Sequence, residues 1–261
     1  MAITKGEHRI DTVDDWRRLA PPKKSGQWRV GRSAQTVAEI WLAGGGKSLP
    51  PEVQSMLSSH DRFGGVQDGD WDAEPEVPLP FDSARNPRMT DILVLAKDSH
   101  GPFVIAVEAK ADETFGCTIT EELAGAIEAV QKTPASQKLR RVEMLAKSLM
   151  RAQVNGAPPI GALRYQLFTA CAGALCEAKR RGVTRAIMLV HEFVTDQTRD
   201  QKHASNAADL DLFVNRITAG RIRHIENGDL CGPISIPGTQ LNAAGVDLFI
   251  GKVCRTTRSQ P

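Results

Sequence analysis

The chain of 261 residues lacks any apolar run long enough to cross a bilayer, and its N-terminal stretch lacks the apolar core of a signal peptide. The expectation is a soluble, cytoplasmic protein with no membrane partner. Its cysteines, Cys117, Cys171, Cys176, Cys231 and Cys254, form no Cys-x2-Cys pair. Neither a zinc site nor a disulfide framework is therefore expected, and free thiols suit a reducing compartment. Aromatics are scarce, with 8 Phe, 4 Trp and 1 Tyr, which leaves few platforms for stacking single-stranded bases. An excess of charge of one sign is missing too. The formal net charge of +2 argues neither for nor against a nucleic-acid partner. There is no internal repeat, and no serine elbow with histidine and acid partners to suggest nucleophilic catalysis.

Two motif-like stretches fail on spacing. Gly44-Gly45-Gly46-Lys47-Ser48 has the tail of a phosphate-binding loop, but the glycine needed five residues before the Gly-Lys pair is Trp41. The stretch also runs into Pro50-Pro51. Asp68, Asp70 and Asp72 alternate as in a calcium loop, yet position six is Ala73 rather than glycine and position twelve is Leu79 rather than glutamate. They read as an acidic loop that, by preceding Asp91, is placed to approach it.

What the chain does have is the run Thr90 to Lys110, TDILVLAKDSHGPFVIAVEAK. Two apolar runs, Ile92 to Ala96 and Phe103 to Val107, flank the turn residues Asp98, Ser99, His100 and Gly101. With Lys97 facing Pro102, antiparallel pairing sets Asp91 opposite Glu108. Side chains alternate along a strand, so Asp91 shares a face with Leu93 and Leu95, and Lys110 shares one with Glu108 and Ala106. Two carboxylates and a lysine thus gather at one end of a buried hairpin. Carboxylates directly opposite each other repel, and a divalent cation is the simplest offset. A lysine two residues on from a metal carboxylate suits the orientation of an attacking water or the stabilisation of phosphate charge. The competing reading is an ordinary solvated Glu108–Lys110 pair at a strand end.

This arrangement resembles the PD-(D/E)xK, restriction-endonuclease-like nuclease superfamily. Asp91 matches the first acid, Glu108 the second and Lys110 the lysine, while Thr90 stands where the motif's proline would be. The longer string EAKADETFG, from Glu108 to Gly116, and the helix start RYQL at Arg164 are similar to stretches of uncharacterised bacterial proteins assigned to that superfamily. The resemblance implies a mixed-sheet α/β fold with an αβββαβ core, and Mg2+ as cofactor with Mn2+ able to substitute. It also implies hydrolysis of phosphodiesters, in DNA rather than RNA, in defence or repair, and a homodimer if both strands of a duplex are cut.

The resemblance also assigns supporting residues. A helix before the first strand supplies a further acid, which makes Glu39, on Arg32 to Ala43 with Ser33 as N-cap, the third metal carboxylate beside Asp91 and Glu108. A glutamine on the long helix after the triplet helps organise some members' sites, and Gln166, within Ile160 to Arg181, matches it. Arg164 is a candidate phosphate contact. Asp112 and Glu113 are either extra groups at the metal or, as the plainer reading has it, solvated charges on a strand-end loop. His191 and Glu192, closing the strand Arg185 to Phe193, are expected to pack or cap.

One domain over 1–261 is expected: an N-terminal extension over 1–30, a core in 31–110 and 160–220, a helical insertion over 118–156 and a C-terminal elaboration over 221–261. The first core strand falls within or just before Val77 to Phe81. A helix over Ser205 to Ala219 and a strand over Val246 to Val253 complete the set, and Arg255 to Pro261 reads as a tail. Basic clusters around Lys138 to Arg151, Lys179 to Arg185 and Arg221 to His224 are available to phosphates, or are solvated helix faces. The competing function is a catalytically inactive nucleic-acid-binding or assembly subunit with the same fold. An unrelated metal-dependent metabolic enzyme ranks third.

Overall fold

The computed structural model describes residues 2–23, 25–83, 87–152, 156–237, 241 and 243–257. Elements in chain order are β1 (Thr4–Lys5), β2 (His8–Arg9), α1 (Val13–Leu19), α2 (Ser33–Trp41), α3 (Pro51–Ser58), β3 (Trp71–Leu79), β4 (Arg88–Asp98), β5 (Gly101–Lys110), α4 (Ile119–Lys132), α5 (Lys138–Leu149), α6 (Tyr165–Arg180), β6 (Arg185–Val194), α7 (Asp200–Ile217), β7 (Leu230–Ile234) and β8 (Asp247–Thr256). The fold is mixed α/β. A 6-stranded sheet runs in the order β3-β4-β5-β6-β8-β7, and β1 and β2 form a small separate ribbon. β3, β4 and β5 are antiparallel neighbours, β6 and β8 run parallel to β5, and β7 returns antiparallel at the edge.

The central hairpin has the register that the alternation requires, with Lys97 opposite Pro102 and Asp98 opposite Gly101. Gly101 turns the chain at φ +105°, a conformation that side-chain-bearing residues rarely adopt. Leu93, Val104 and Ala106 enter a core shared with Leu145 of α5, Leu167 and Phe168 of α6 and Phe213 of α7. Ile92, Val94, Phe103, Ile105 and Val107 enter a second core with Trp16 of α1, Val37 and Trp41 of α2 and Leu57 of α3. Because helices cover both faces, β5 and β6 are apolar almost without interruption.

α6 ends in a Schellman motif. Gly182 sits at φ +70°, and Val183 N donates to Ala178 O at 3.0 Å. Midway along α6, Gly173 lets the helix lie close on the sheet. A Cβ at that position would come 3.1 Å from Leu79 Cβ.

Several expectations shift. Arg32 rather than Ser33 is the N-cap of α2, and it caps without a side-chain hydrogen bond. The helical insertion resolves into α4, opened by a Thr118–Glu121 capping box, and α5; its residues 153–155 lie outside the described ones. The C-terminal elaboration contributes its expected strand to the main sheet, where β8 pairs with β6 from Arg185–Asp247 to Val194–Thr256. Arg255 and Thr256 therefore belong to a strand rather than a tail, and 258–261 lie outside the described residues. The N-terminal extension does pack on the core, through buried Ile3, Ile10, Trp16 and Ala20. No helix of the described residues is long and apolar enough to cross a membrane.

Candidate functional site

Continuing the β4–β5 register one step beyond Ile92–Val107 sets Asp91 beside Glu108. Continuing the β3–β4 register between Pro75–Ile92 and Val77–Thr90 sets Glu76 beside Asp91. Three carboxylates thus occupy one row across three neighbouring strands, and Lys110 follows two residues on along β5. Asp91 Oδ2 accepts a hydrogen bond from Ala109 N at 2.7 Å, which ties it to the neighbouring strand. Thr90 Oγ1 donates to Val107 O at 2.9 Å and closes the hairpin just before it.

Glu108 is the most enclosed member of the row. Its Oε1 accepts from Lys110 Nζ and from Gln166 Nε2, each at 2.5 Å, and its Oε2 accepts from Arg88 Nη2. Lys110 also lies over the Phe115 ring, 5.2 Å from its centroid. The repulsion between Asp91 and Glu108 that seemed to require a cation is therefore offset in part by Arg88 and Lys110. Burial would raise the Glu108 carboxyl, but Lys110 and Arg88 hold it below its usual range. The other two acids go the opposite way. Burial and the Glu108 charge push Asp91 up to about 7, and burial and the Asp91 charge push Glu76 up to about 8. With all three ionised, the row would carry one more charge than Arg88 and Lys110 cancel.

Asp91 and Glu76 both line a cleft of about 370 Å³, together with Lys23, Gln27, Ser33, Arg88, Arg141, Tyr165, Gln166 and Thr169. Asp91 Oδ1 and the Glu76 carboxylate accept no hydrogen bond from the described residues. Such oxygens, crowded by like charge and open to a cleft, are a donor set that fits a hard divalent cation. No group of three or more His, Cys, Asp or Glu among the described residues is already arranged as a finished metal site.

Of the residues proposed from sequence, Asp91, Glu108, Lys110 and Gln166 come together; Glu39 does not. The buried stripe of α2, Val37, Ala38 and Trp41, faces the core on the other side of the sheet. Two residues on from Val37, Glu39 points about 200° away around the helix. It is exposed and bonded to Gln35 Nε2 at 2.8 Å, and it does not line the cleft. Glu76 stands with the carboxylates instead. Its backbone is left-handed, φ +49°, and Lys5 Nζ donates to the Pro75 and Glu76 carbonyls at 2.9 and 2.8 Å to hold the kink. The signal for it was Pro75 and Pro78, since prolines within a strand mark an irregularity.

Other expected contributors have structural duties. Asp112 is buried rather than solvated, accepting from Arg199 N and Lys202 Nζ, with Arg32 nearby. Glu113 accepts from Ala111 N. Arg164 is committed to Gly116 O and Asp209. His191 packs, accepting from Trp41 Nε1 through Nδ1 and pairing with Glu52 through Nε2, and Glu192 meets His203. The acidic loop lies at the far end of β3. Trp71 pairs with Ala96, five residues from Asp91 and about 17 Å away along the strand. Of the basic clusters, Arg180 and Arg181 pair with Glu177 and Arg185 with Asp98, while Arg141 stays at the cleft wall with Asp82. The cysteines are free thiols.

Comparison with known proteins gives one family model, Domain of unknown function (DUF6946), matching residues 9–257. No curated protein and no solved structure matches the chain.

Proposed function

The chain belongs to the DUF6946 family, and from the carboxylate row we propose that it is a metal-dependent nuclease hydrolysing phosphodiester bonds, with DNA as substrate. The observation that carries the reading is the juxtaposition of Glu76, Asp91 and Glu108 on adjacent strands with Lys110 at the same strand end, beside a cleft. The element order α2, β3, β4, β5, α6, β6, with β3 to β5 antiparallel and β6 parallel to β5, supports a restriction-endonuclease-like αβββαβ core.

Mg2+, with Mn2+ as a substitute, would be held by Asp91, Glu108 and Glu76 and would supply the Lewis acidity that polarises a phosphoryl oxygen. Lys110 positions the attacking water and stabilises charge growing on the phosphate. Gln166 orients Glu108 through Oε1. Arg141 and Lys23, on the cleft wall, are further cations for flanking phosphates.

The test incubates wild-type protein, Asp91→Ala and Lys110→Ala with plasmid and linear DNA in Mg2+, Mn2+ or EDTA. Wild type is expected to cut only with metal, and each variant to lose at least about a hundredfold in rate. The same fold without chemistry, a nucleic-acid-binding or assembly subunit, is favoured by one observation: both oxygens of Glu108 already have protein donors. Folded wild-type protein that binds DNA but leaves it intact in either metal would select that second reading.

A further inference from the structure

We infer that Arg88 and a divalent cation are alternative counter-ions of Glu108, so that Arg88 leaves the carboxylate when the cation is held. The inference rests on the metal-dependent reading above and adds to it a residue that decides how tightly the cation binds.

The molecule contains its own comparison. Arg185 is a guanidinium built in for structure: Nη1 donates to Arg62 O at 2.7 Å and Asp98 Oδ2 at 3.1 Å, and Nη2 to Asp98 Oδ1 at 2.7 Å and Gly101 O at 2.5 Å. Its Cζ lies over the Phe63 and Phe103 rings, 4.8 and 4.9 Å from their centroids. Arg88 is equally enclosed, with 7% of its side chain exposed, yet under-bonded. It has one strong partner, Glu108 Oε2, and a marginal 3.5 Å contact from Nη1 to Thr169 Oγ1. Its Nε is buried with no hydrogen-bond partner among the described residues. A buried donor left unmade is costly, so the observed position of Arg88 is stabilised chiefly by the charge on Glu108.

The bonding at Glu108 is asymmetric in the same sense. Oε1 is shared by Lys110 and Gln166, whereas among the described residues Oε2 is held by Arg88 alone. Displacing one group therefore frees a whole carboxylate oxygen for a cation. Arg88 lines the cleft, so a guanidinium released from Glu108 stays within it. There its planar fork suits a phosphate, which takes two parallel N–H bonds. Cation and substrate would then bind cooperatively: the cation displaces Arg88, and Arg88 meets the anion that arrives with it.

The test is isothermal titration of the full chain with Mn2+, comparing wild type, Arg88→Met and Arg88→Lys without DNA. Arg88→Met, which removes the competitor and keeps the bulk, should bind Mn2+ roughly tenfold to a hundredfold more tightly, the range to which one charge-assisted hydrogen bond converts. Arg88→Lys should fall between the two. Unchanged or weaker binding in a folded Arg88→Met, while wild type binds Mn2+ and cuts DNA, overturns the counter-ion inference and leaves the nuclease reading standing. Failure of every form to bind Mn2+ overturns both. Should Arg88→Met not fold, the wild type still decides through side-chain NMR with 15N-labelled arginine. Saturating Mg2+ must move the Arg88 guanidinium signals and leave those of Arg185 in place. Arg88 signals that stay fixed overturn the inference.

Discussion

At the scale of the residue, the most telling feature is a glutamate in a conformation that glutamates avoid. A left-handed backbone at a side-chain-bearing residue costs about 1–2 kcal/mol, and such strain persists where surrounding contacts over-determine it. Glu76 carries it at φ +49°, beside Asp91, with Lys5 bracing the two carbonyls. A glycine would take the same turn without that cost, and would remove one of the three carboxylates of the row. Glu76→Gly is therefore expected to raise the unfolding free energy by about 1 kcal/mol while lowering metal-dependent cleavage by about a hundredfold. Urea titration and a DNA cleavage assay on the same preparation check both halves. A less stable variant with full activity would remove Glu76 from the site.

At the scale of the element, the site depends on how closely α6 lies on β3 and β4, because Gln166 and Thr169 reach Glu108 and Arg88 from that helix. Gly173 permits the approach, with Leu79 Cβ only 3.1 Å from where its own Cβ would stand. Gly173→Val should push the helix outward at a cost of about 1–3 kcal/mol, and should weaken cleavage even where the protein remains folded. A thermal midpoint unchanged from wild type would show that Leu79 gives way without moving α6. The same elements show what was legible beforehand. The hairpin register and the long helix follow from local rules: period-two alternation, a turn with Gly101, and a helical stripe closed by Gly182; Gln166 on that helix was singled out only by the superfamily resemblance. Pro75 and Pro78 mark an irregularity near Glu76, but the places of Arg88 and Glu76 were not legible, because β3 changes faces at the kink. Trp71 and Ala73 face the α1–α3 core, whereas Val77 and Leu79 face the α6 core. Alternation alone puts all of them on one side. Arg88, opposite Leu79, goes with it to the α6 side, where Glu108 waits. Glu39 failed for the complementary reason: a position beside an apolar stripe does not say toward which sheet face the stripe will turn.

At the scale of the whole molecule, two sets of carboxylates respond to pH in opposite directions, and their balance shapes the stability curve. Asp98, with Arg185 and the amides of Gly64 and His100, and Asp112, with Arg199, Lys202 and Arg32, titrate below the usual carboxylate range despite burial, as does Glu177 beside Arg180 and Arg181. A folded carboxyl held low contributes stability that is present above its unfolded value, near pH 4, and is lost as pH falls through the folded value. Glu76 and Asp91 are held high, at about 8 and about 7. The folded state then binds more protons than the unfolded chain between about pH 4 and pH 8, so their contribution is present below that window and fades as pH rises through it. The expected curve is highest between about pH 4 and pH 5, falls in acid and declines as pH rises toward 8. A divalent cation bound by the row should restore the loss on the alkaline side, where the carboxylates are charged, and do little at pH 5, where protons already hold them. Urea midpoints at pH 4, 5, 6.5 and 8, with and without Mg2+, check the shape. Glu76→Gln should flatten the alkaline decline and reduce the Mg2+ effect while leaving the acid limb, set by Asp98 and Asp112, where it was. An alkaline decline that survives Glu76→Gln and Asp91→Asn together would mean that the charge imbalance is not located in this row.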